Sequence, residues 1–141
     1  MINKIIDGIS VAINSEFGDN YEIYTESVEQ GLTEPCFSIL CINPTNEHYL
    51  GKKYYRTNQF TIHYFPSSDE SRNESFIVMG RLFDALEYIT IDGDVLRGTG
   101  MRAEFVDGVL HFFINYNMFV YKESEALPVM ETLDQNTDLK G

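Results

Sequence analysis

The sequence predicts an α+β fold in which two helices pack on a mainly antiparallel β-sheet within a single domain. Apolar residues recur at three- and four-residue steps in residues 2–17 and again in the segment that ends near Glu87. The segments around them alternate apolar and polar residues, as strands do. Asp107-Gly108 lies between two alternating segments and suits a type I′ hairpin turn, because both central residues of that turn need positive φ.

The composition is that of a folded, acidic protein. Of the 141 residues, 43% are hydrophobic and 13% aromatic, which is enough for one domain with a sizeable core. The formal net charge of −12 argues against binding nucleic acid through a basic surface. It is compatible with solubility, with a basic partner, or with a channel wall to which DNA must not adhere. No apolar run is long enough to cross a bilayer and the first residues are not those of a signal peptide, so synthesis in the cytoplasm is expected.

The first helix is predicted over residues 2–17, and Gly18-Asp19-Asn20 supplies the turn chemistry that ends it. Its apolar stripe contains Ile2, Ile5, Ile6, Ile9, Ala12, Ile13 and Phe17. Strands follow over residues 21–27 and 36–43. The second of these is apolar on both sides, which predicts an internal position in the sheet.

Cys36 and Cys41 are the two cysteines, and they stand five residues apart in this strand. An odd separation places them on opposite faces, so they are expected to stay reduced and not to pair with each other. A metal site would need more ligands than the chain gathers near them.

Residues 44–49 are polar and are predicted to form a turn, and residues 54–65 a long strand that ends at Pro66. Between them lies a basic group of three residues, Lys52, Lys53 and Arg56. This group either forms a solvated loop and strand edge, or contacts an acidic neighbour such as another copy of the chain. The sequence leaves both interpretations open.

The second helix is predicted to begin at the capping box Ser67–Glu70, or one turn later, and to run to about Glu87. Its inner face is predicted to contain Phe76, Met79, Leu82, Phe83 and Leu86. A short strand over residues 88–91 and the turn Asp92-Gly93-Asp94 lead into the closing hairpin. Gly98 and Gly100 in its first arm indicate a bulge or a close backbone approach.

The last strand is predicted to run from the Asp107-Gly108 turn to Tyr121. One face is entirely apolar or aromatic, whereas the other is mixed and includes Phe113 and Phe119. Two aromatic side chains on a mixed face need a cover, so the strand is predicted to lie at the centre of a sheet or in a sheet that a neighbouring subunit completes.

Residues 122–141 form a separate segment with five acidic residues, two lysines and no aromatic residue. The domain is therefore placed at 1–121, and the segment is expected to be a mobile acidic tail. Its spaced apolar residues, Leu127 and Met130 among them, could order on a partner surface.

No catalytic, cofactor or metal site is expected. The three histidines are His48, His63 and His111, and neither a His-Glu-x-x-His nor a Cys-x-x-Cys motif is present. His63 and His111 are interpreted as side chains on a sheet face. Residues 92–94 lack the later ligands of a calcium loop, and residues 97–100 lack the Lys-Ser/Thr and the helix of a phosphate loop. The protein is therefore not expected to be an enzyme.

Three stretches together resemble the small tail terminator (tail completion) proteins of long-tailed phages and of phage-derived contractile bacteriocins. They are the Pro-Cys-Phe-Ser-Ile segment at 35–39, the Tyr-Tyr-Arg segment at 54–56 that leads to Phe-Thr-Ile-His-Tyr-Phe-Pro at 60–66, and Leu-Arg-Gly at 96–98 with Met101 and the 107–112 segment. The resemblance covers residues 1–121 and leaves 122–141 unmatched.

The resemblance implies a structural virion protein. Such proteins form a homohexameric ring that caps the head-proximal end of the tail tube, ends the growth of the tube and in some cases of the sheath, and docks the head-side connector or neck protein. DNA passes through the lumen without specific binding, and no membrane is involved. Subunit or partner contacts are hypothesised at seven residues: Lys52, Lys53, Arg56, Phe113, Phe119, Leu127 and Met130. Two alternatives stay open, an acidic nucleic-acid mimic that inhibits a DNA-binding enzyme and a head-completion or neck protein.

Overall fold

The structure is a computed structural model that describes residues 1–25, 33–67 and 71–122. These residues form two helices, α1 (Ile2–Phe17) and α2 (Ser71–Ala85). They also form ten strands: β1 (Glu22–Tyr24), β2 (Cys36–Cys41), β3 (Thr45–Leu50), β4 (Lys53–Thr57), β5 (Gln59–Phe65), β6 (Tyr88–Ile91), β7 (Asp94–Arg97), β8 (Thr99–Val106), β9 (Val109–Asn115) and β10 (Met118–Tyr121). None of the described helices is long and apolar enough to span a membrane.

The strands form three sheets. The large sheet has five strands in the order β1-β2-β5-β9-β8, and only its β1-β2 pair is parallel. The small sheet has three antiparallel strands in the order β10-β4-β3, and β6 pairs with β7 alone. The predicted α+β class and the internal position of β2 are therefore confirmed.

The core lies between the two helices and one face of the large sheet. Helix α1 contributes Ile5, Ile9 and Ile13, each fully buried, as the predicted stripe requires. Full burial of one such side chain contributes about 1.5–3 kcal/mol. The sheet contributes five fully buried side chains from its central strands: Phe60, Ile62, Leu110, Phe112 and Ile114. Because α1 contains many β-branched residues, packing against the sheet stabilises it more than helix propensity does.

Helix α2 differs in part from its prediction. Val78 and Leu82 of the helix, and Leu86 directly after it, are buried on the core-facing side, whereas Phe76 is 47% exposed and its predicted place on that side is wrong. The ring of Phe76 instead packs edge-on against Phe105 of β8, with centroids 5.0 Å apart. Three- and four-residue spacing is compatible with more than one apolar face on the same helix. Only the position of the sheet decides which of these faces is buried.

The start of α2 is held by a carboxylate. Glu74 accepts hydrogen bonds from the backbone N–H and the hydroxyl of Ser67, at 2.9 and 3.1 Å, and from the hydroxyl of Tyr64. Ser67 therefore bonds to Glu74, whereas Glu70 of the predicted capping box lies outside the described residues. The contact ties the end of β5 to the first turn of the helix.

Two predicted long strands are each broken, and they break at the same place. The 54–65 strand divides at Asn58 into β4 and β5, and the last strand divides at Tyr116-Asn117 into β9 and β10. Asn58 is 2% exposed and forms two hydrogen bonds with Tyr116 at the second break. The N–H of Tyr116 donates to the Asn58 carbonyl at 2.9 Å, and the side-chain amide of Asn58 donates to the Tyr116 carbonyl at 3.0 Å. At these two breaks the chain passes between the large sheet, which contains β5 and β9, and the small sheet, which contains β4 and β10.

Other boundaries also move. Residues 44–49 do not form a turn, because Thr45–Leu50 pairs with β4 as strand β3. The strand predicted over 36–43 ends at Cys41, and that predicted over 21–27 is observed at Glu22–Tyr24, residues 26 and 27 being outside the described residues. A mostly polar strand that is exposed along its length has no apolar alternation, so its sequence does not distinguish it from a turn.

The predictions for the closing hairpins are confirmed. Asp107 and Gly108 have φ values of 51° and 78°, as a type I′ turn requires. The register between β8 and β9 shifts between Thr99 and Arg102, which is the expected irregularity. A Cβ on Gly98 would lie 2.4 Å from the Ile114 side chain and 2.8 Å from the Leu86 carbonyl oxygen. The glycine therefore permits a close approach of β9 and the end of α2.

Candidate functional site

The strongest candidate for a contact surface is one face of the small sheet. We call it the aromatic face, and it consists of Tyr49, Lys53, Tyr55, Phe119 and Tyr121. Strand register builds it, because Phe119 lies opposite Tyr55 and Tyr121 lies opposite Lys53. Directly opposed residues of antiparallel strands have their Cβ atoms close together on one face. Tyr49 joins from β3, beside the bulge that separates His48 from Leu50.

The centre of the aromatic face is the ammonium group of Lys53. Its Nζ lies 4.3 Å from the ring centroid of Phe119, 5.3 Å from that of Tyr49 and 5.8 Å from that of Tyr121. The negative face of an aromatic ring attracts a cation at these distances. The three rings thereby hold the ammonium group of Lys53 in place.

The rings also contact one another and remain open to solvent. The centroid of Phe119 lies 4.8 Å from Tyr55 and 5.1 Å from Tyr49. The exposed fractions of Phe119, Tyr49 and Tyr121 are 46%, 61% and 69%. Adjacent exposed aromatic side chains are typical of the core of a protein–protein interface.

The structure divides the predicted basic group. Lys53 belongs to the aromatic face, whereas Arg56, three residues along β4, lies on the other side of the small sheet and donates to Asn46 Oδ1 at 3.1 Å. Lys52 lies in the turn before β4, and its carbonyl accepts from the N–H of Lys122 at 2.9 Å. The ammonium of Lys122 lies 4.8 Å from the ring centroid of Tyr54, on the Arg56 side. Basic groups therefore occupy both sides of this sheet.

The remaining predicted contact residues are distributed differently. Phe113 lies on the large sheet, on the face opposite the helices, with the Arg102 guanidinium 4.0 Å above its ring. It is thus not on the same surface as Phe119, since the break at Tyr116-Asn117 sends the two to different sheets. Leu127 and Met130, and the tail as a whole, lie outside the described residues.

The face of the large sheet opposite the helices also brings together His63 and His111. They lie directly opposite each other on β5 and β9, with ring centroids 4.2 Å apart. Burial, and then the neighbouring His111, lower the pKa of His63. The interpretation of both as sheet-face side chains is confirmed, but their adjacency was not predicted, because the pairing of two distant strands is not visible in either one.

Three further pKa shifts belong to buried side chains of the fold. Burial first, and then Glu34 and Glu22, raise the pKa of the Cys36 thiol to about 11. Burial also raises the pKa of Tyr116, and burial with the Glu74 contact raises that of Tyr64. Cys36 and Cys41 are both free thiols, as predicted. Within the described part of the chain, no three His, Cys, Asp or Glu side chains are gathered as metal ligands.

Three residues of the aromatic face, Tyr49, Tyr55 and Tyr121, were missed by the sequence analysis. Spacing of two residues links Tyr55 to Lys53 and Tyr121 to Phe119, so alternation could have found two of them. Tyr49 could not be found, because its strand was predicted as a turn.

Comparison with known proteins matches most of the chain to one family. The model of a family described as phage tail terminator protein matches residues 4–128. No curated protein matches the chain. One similar solved structure, whose name describes no function, has 12% sequence identity over 84% of this chain and 96% of its own, with a TM-score of 0.40.

Proposed function

The chain belongs to the phage tail terminator protein family and has a structural role in a phage tail, and from this premise we propose that it forms a hexameric ring at the head-proximal end of the tail tube. There it ends the growth of the tube and presents the docking surface for the head-side connector. The partners are then further copies of the chain, the tube protein and the connector protein. The observation that carries the proposal is the family match over residues 4–128.

The aromatic face supports a role for the small sheet in subunit contact. A closed ring needs a heterologous interface, in which one surface of each subunit meets a different surface of the next. Phe119, Tyr49 and Tyr121 offer apolar area that a neighbour would remove from water, and Lys53 offers a positioned positive charge. Aromatic residues of this kind are enriched among those that contribute most to binding.

The charge of the whole chain supports a second copy as the neighbour. With 22 acidic and 10 basic residues, most of its surface charges are negative, whereas the aromatic face has a lysine at its centre. A lysine-centred face therefore meets complementary charge on another subunit. The same acidic balance suits a lumen through which DNA passes without adhering.

The mass of the purified full chain in solution, measured across concentration and followed by negative-stain imaging, tests the ring. A closed six-fold particle is the expected result. If the chain is monomeric alone, it is added to assembling tail tube protein, where it should arrest elongation and appear at one end of each tube. Tubes that grow to unchanged length, without the chain at an end, would contradict the proposal.

Charge reversal tests the contribution of the basic residues. Lys53→Glu and Phe119→Ser should weaken assembly by at least tenfold in concentration, as should the combined reversal of Lys52, Lys53 and Arg56. Arg97→Glu is the matched control, because it makes the same change of charge at an exposed position on β7, outside the small sheet. If the Arg97 variant weakens assembly as much as the Lys53 variant, general charge and not this surface is responsible.

A further inference from the structure

The paired histidines on the large sheet have the arrangement of a metal-binding pair. His63 and His111 occupy directly opposed positions on the two central strands β5 and β9. Their rings face the side of the sheet away from both helices, and each side chain is half-buried rather than enclosed. A rigid strand pair therefore presents two imidazoles side by side at a surface that an ion can reach.

The separation of the rings suits a shared ion. An imidazole nitrogen binds Zn²⁺ at about 2.0–2.1 Å, so two imidazoles on one tetrahedral ion have centroids about 5 Å apart. The observed centroids are 4.2 Å apart, with an angle of 60° between the ring planes. Movement of each ring by about half an ångström, within the reach of small side-chain rotations, brings the pair to binding distance.

Charged side chains of both signs lie on β8, the strand next to the pair. Glu104 lies opposite His111 on β8, so the next residue along the same row across the sheet is a carboxylate. Arg102 is the positive group of this region, and it lies over the ring of Phe113 at 4.0 Å. Ser38 lies opposite His63 on β2, and Tyr24 lies opposite Ser38 on β1, so the row continues with two hydroxyl-bearing side chains. The row therefore offers two nitrogen ligands, with an acidic side chain on the adjacent strand.

We propose that His63 and His111 form a two-histidine binding site for a divalent transition metal ion, with Zn²⁺, Cu²⁺ and Ni²⁺ as the ions that imidazole ligands favour. Among the described residues, no third histidine, cysteine or carboxylate lies close enough to complete a group of three ligands. The remaining coordination positions of the ion would therefore be taken by water or by a carboxylate from solution. This metal site does not depend on the proposed ring at the end of the tail tube, so the two proposals can be tested separately.

Titration of the untagged full chain with ZnCl₂ at pH 7.5, followed by calorimetry, tests the site. One ion should bind per chain, and His63→Asn and His111→Asn should each weaken binding by at least tenfold. His48→Asn is the matched control, because it removes the third histidine from β3 on the small sheet and should leave the affinity within twofold. MgCl₂ should not compete, since that ion prefers oxygen ligands.

A measurement on the unchanged protein covers the case in which a histidine variant fails to fold. Addition of Zn²⁺ should shift the imidazole proton resonances of His63 and His111 and leave those of His48 in place. Resonances of His63 and His111 that do not move, or equal zinc affinity in both variants and the unchanged chain, would overturn the proposal.

Discussion

The hydroxyl of Tyr116 donates a hydrogen bond to the backbone carbonyl of Leu86 across 2.6 Å, inside the core. Leu86 directly follows α2, and Tyr116 directly follows β9 at the point where the chain leaves the large sheet. Tyr116 is 0% exposed, so neither partner can bond to water instead. One side chain therefore connects the end of the helix to the point where the two sheets separate.

Tyr116→Phe removes this donor and leaves the Leu86 carbonyl buried without its partner. The free energy of unfolding should fall by about 1–3 kcal/mol, the cost of an unsatisfied buried acceptor. Urea denaturation measures it. Tyr88→Phe, at a tyrosine that is 55% exposed, is the control and should stay within about 0.5 kcal/mol. Equal effects of the two substitutions would show that the hydroxyl of Tyr116 contributes nothing.

Gly98→Ala should destabilise the protein because the new methyl group has no space. It would meet the Ile114 side chain at 2.4 Å and the Leu86 carbonyl oxygen at 2.8 Å, and the second of these is backbone. The cost is about 1–3 kcal/mol, as for other overpacked cores. Thermal and urea unfolding measure it.

The matched control for this prediction is Gly80→Ala in α2, where nothing lies within 4 Å of the added atom. Because alanine favours a helix over glycine, that variant should be stabilised by about 0.5–1 kcal/mol. Opposite signs for the same chemical change at the two positions are the expected result. Destabilisation at both would point to a general intolerance of the added methyl group.

Asn58→Ala should loosen the connection between the two sheets. The side chain of Asn58 donates to the Tyr116 carbonyl at 3.0 Å and is 2% exposed, so its loss leaves a buried acceptor and a small cavity. We expect a loss of about 1–3 kcal/mol and faster amide exchange in β10 than in β9. Asn3→Ala, at an exposed position on α1, is the control. Unchanged exchange in β10 would mean that the small sheet is held by other contacts.

Alkaline pH should destabilise the protein in part through Cys36. Its thiol pKa is raised from 9.0 to about 11, so between these values the unfolded chain loses a proton that the folded chain keeps. The contribution of the Cys36 thiol to the unfolding free energy is therefore intact below about pH 9 and is lost as the pH rises. The loss amounts to about 2 kcal/mol near pH 10.5.

The difference between the unchanged chain and Cys36→Ala isolates this contribution, because tyrosines and lysines that titrate in the same range are common to both. The difference in unfolding free energy between them should change by about 2 kcal/mol from pH 8 to pH 10.5. A difference that stays constant over this range would contradict the raised pKa.

The sequence determined the local features of this protein. Helix α1 follows from an apolar stripe, the Asp107-Gly108 turn from its φ requirement, and the approach at Gly98 from the absence of a side chain. Each of these depends on residues close together in the chain, where spacing and backbone preference carry the information. The family pattern was also readable, because it consists of short segments in a fixed order.

Only the tertiary structure decided which distant segments meet. One predicted strand ends at Asn58 and another at Tyr116-Asn117. Neither end can be predicted from the alternation of apolar residues, because the hydrogen bonds between these two distant positions fix both. The same pairing places His63 beside His111, and it sends Phe119 to the small sheet with Lys53 while Phe113 stays on the large one. Alternation along a strand predicts which of its residues share a face. The partner strand and the register of the pairing are set by hydrogen bonds and packing between distant parts of the chain.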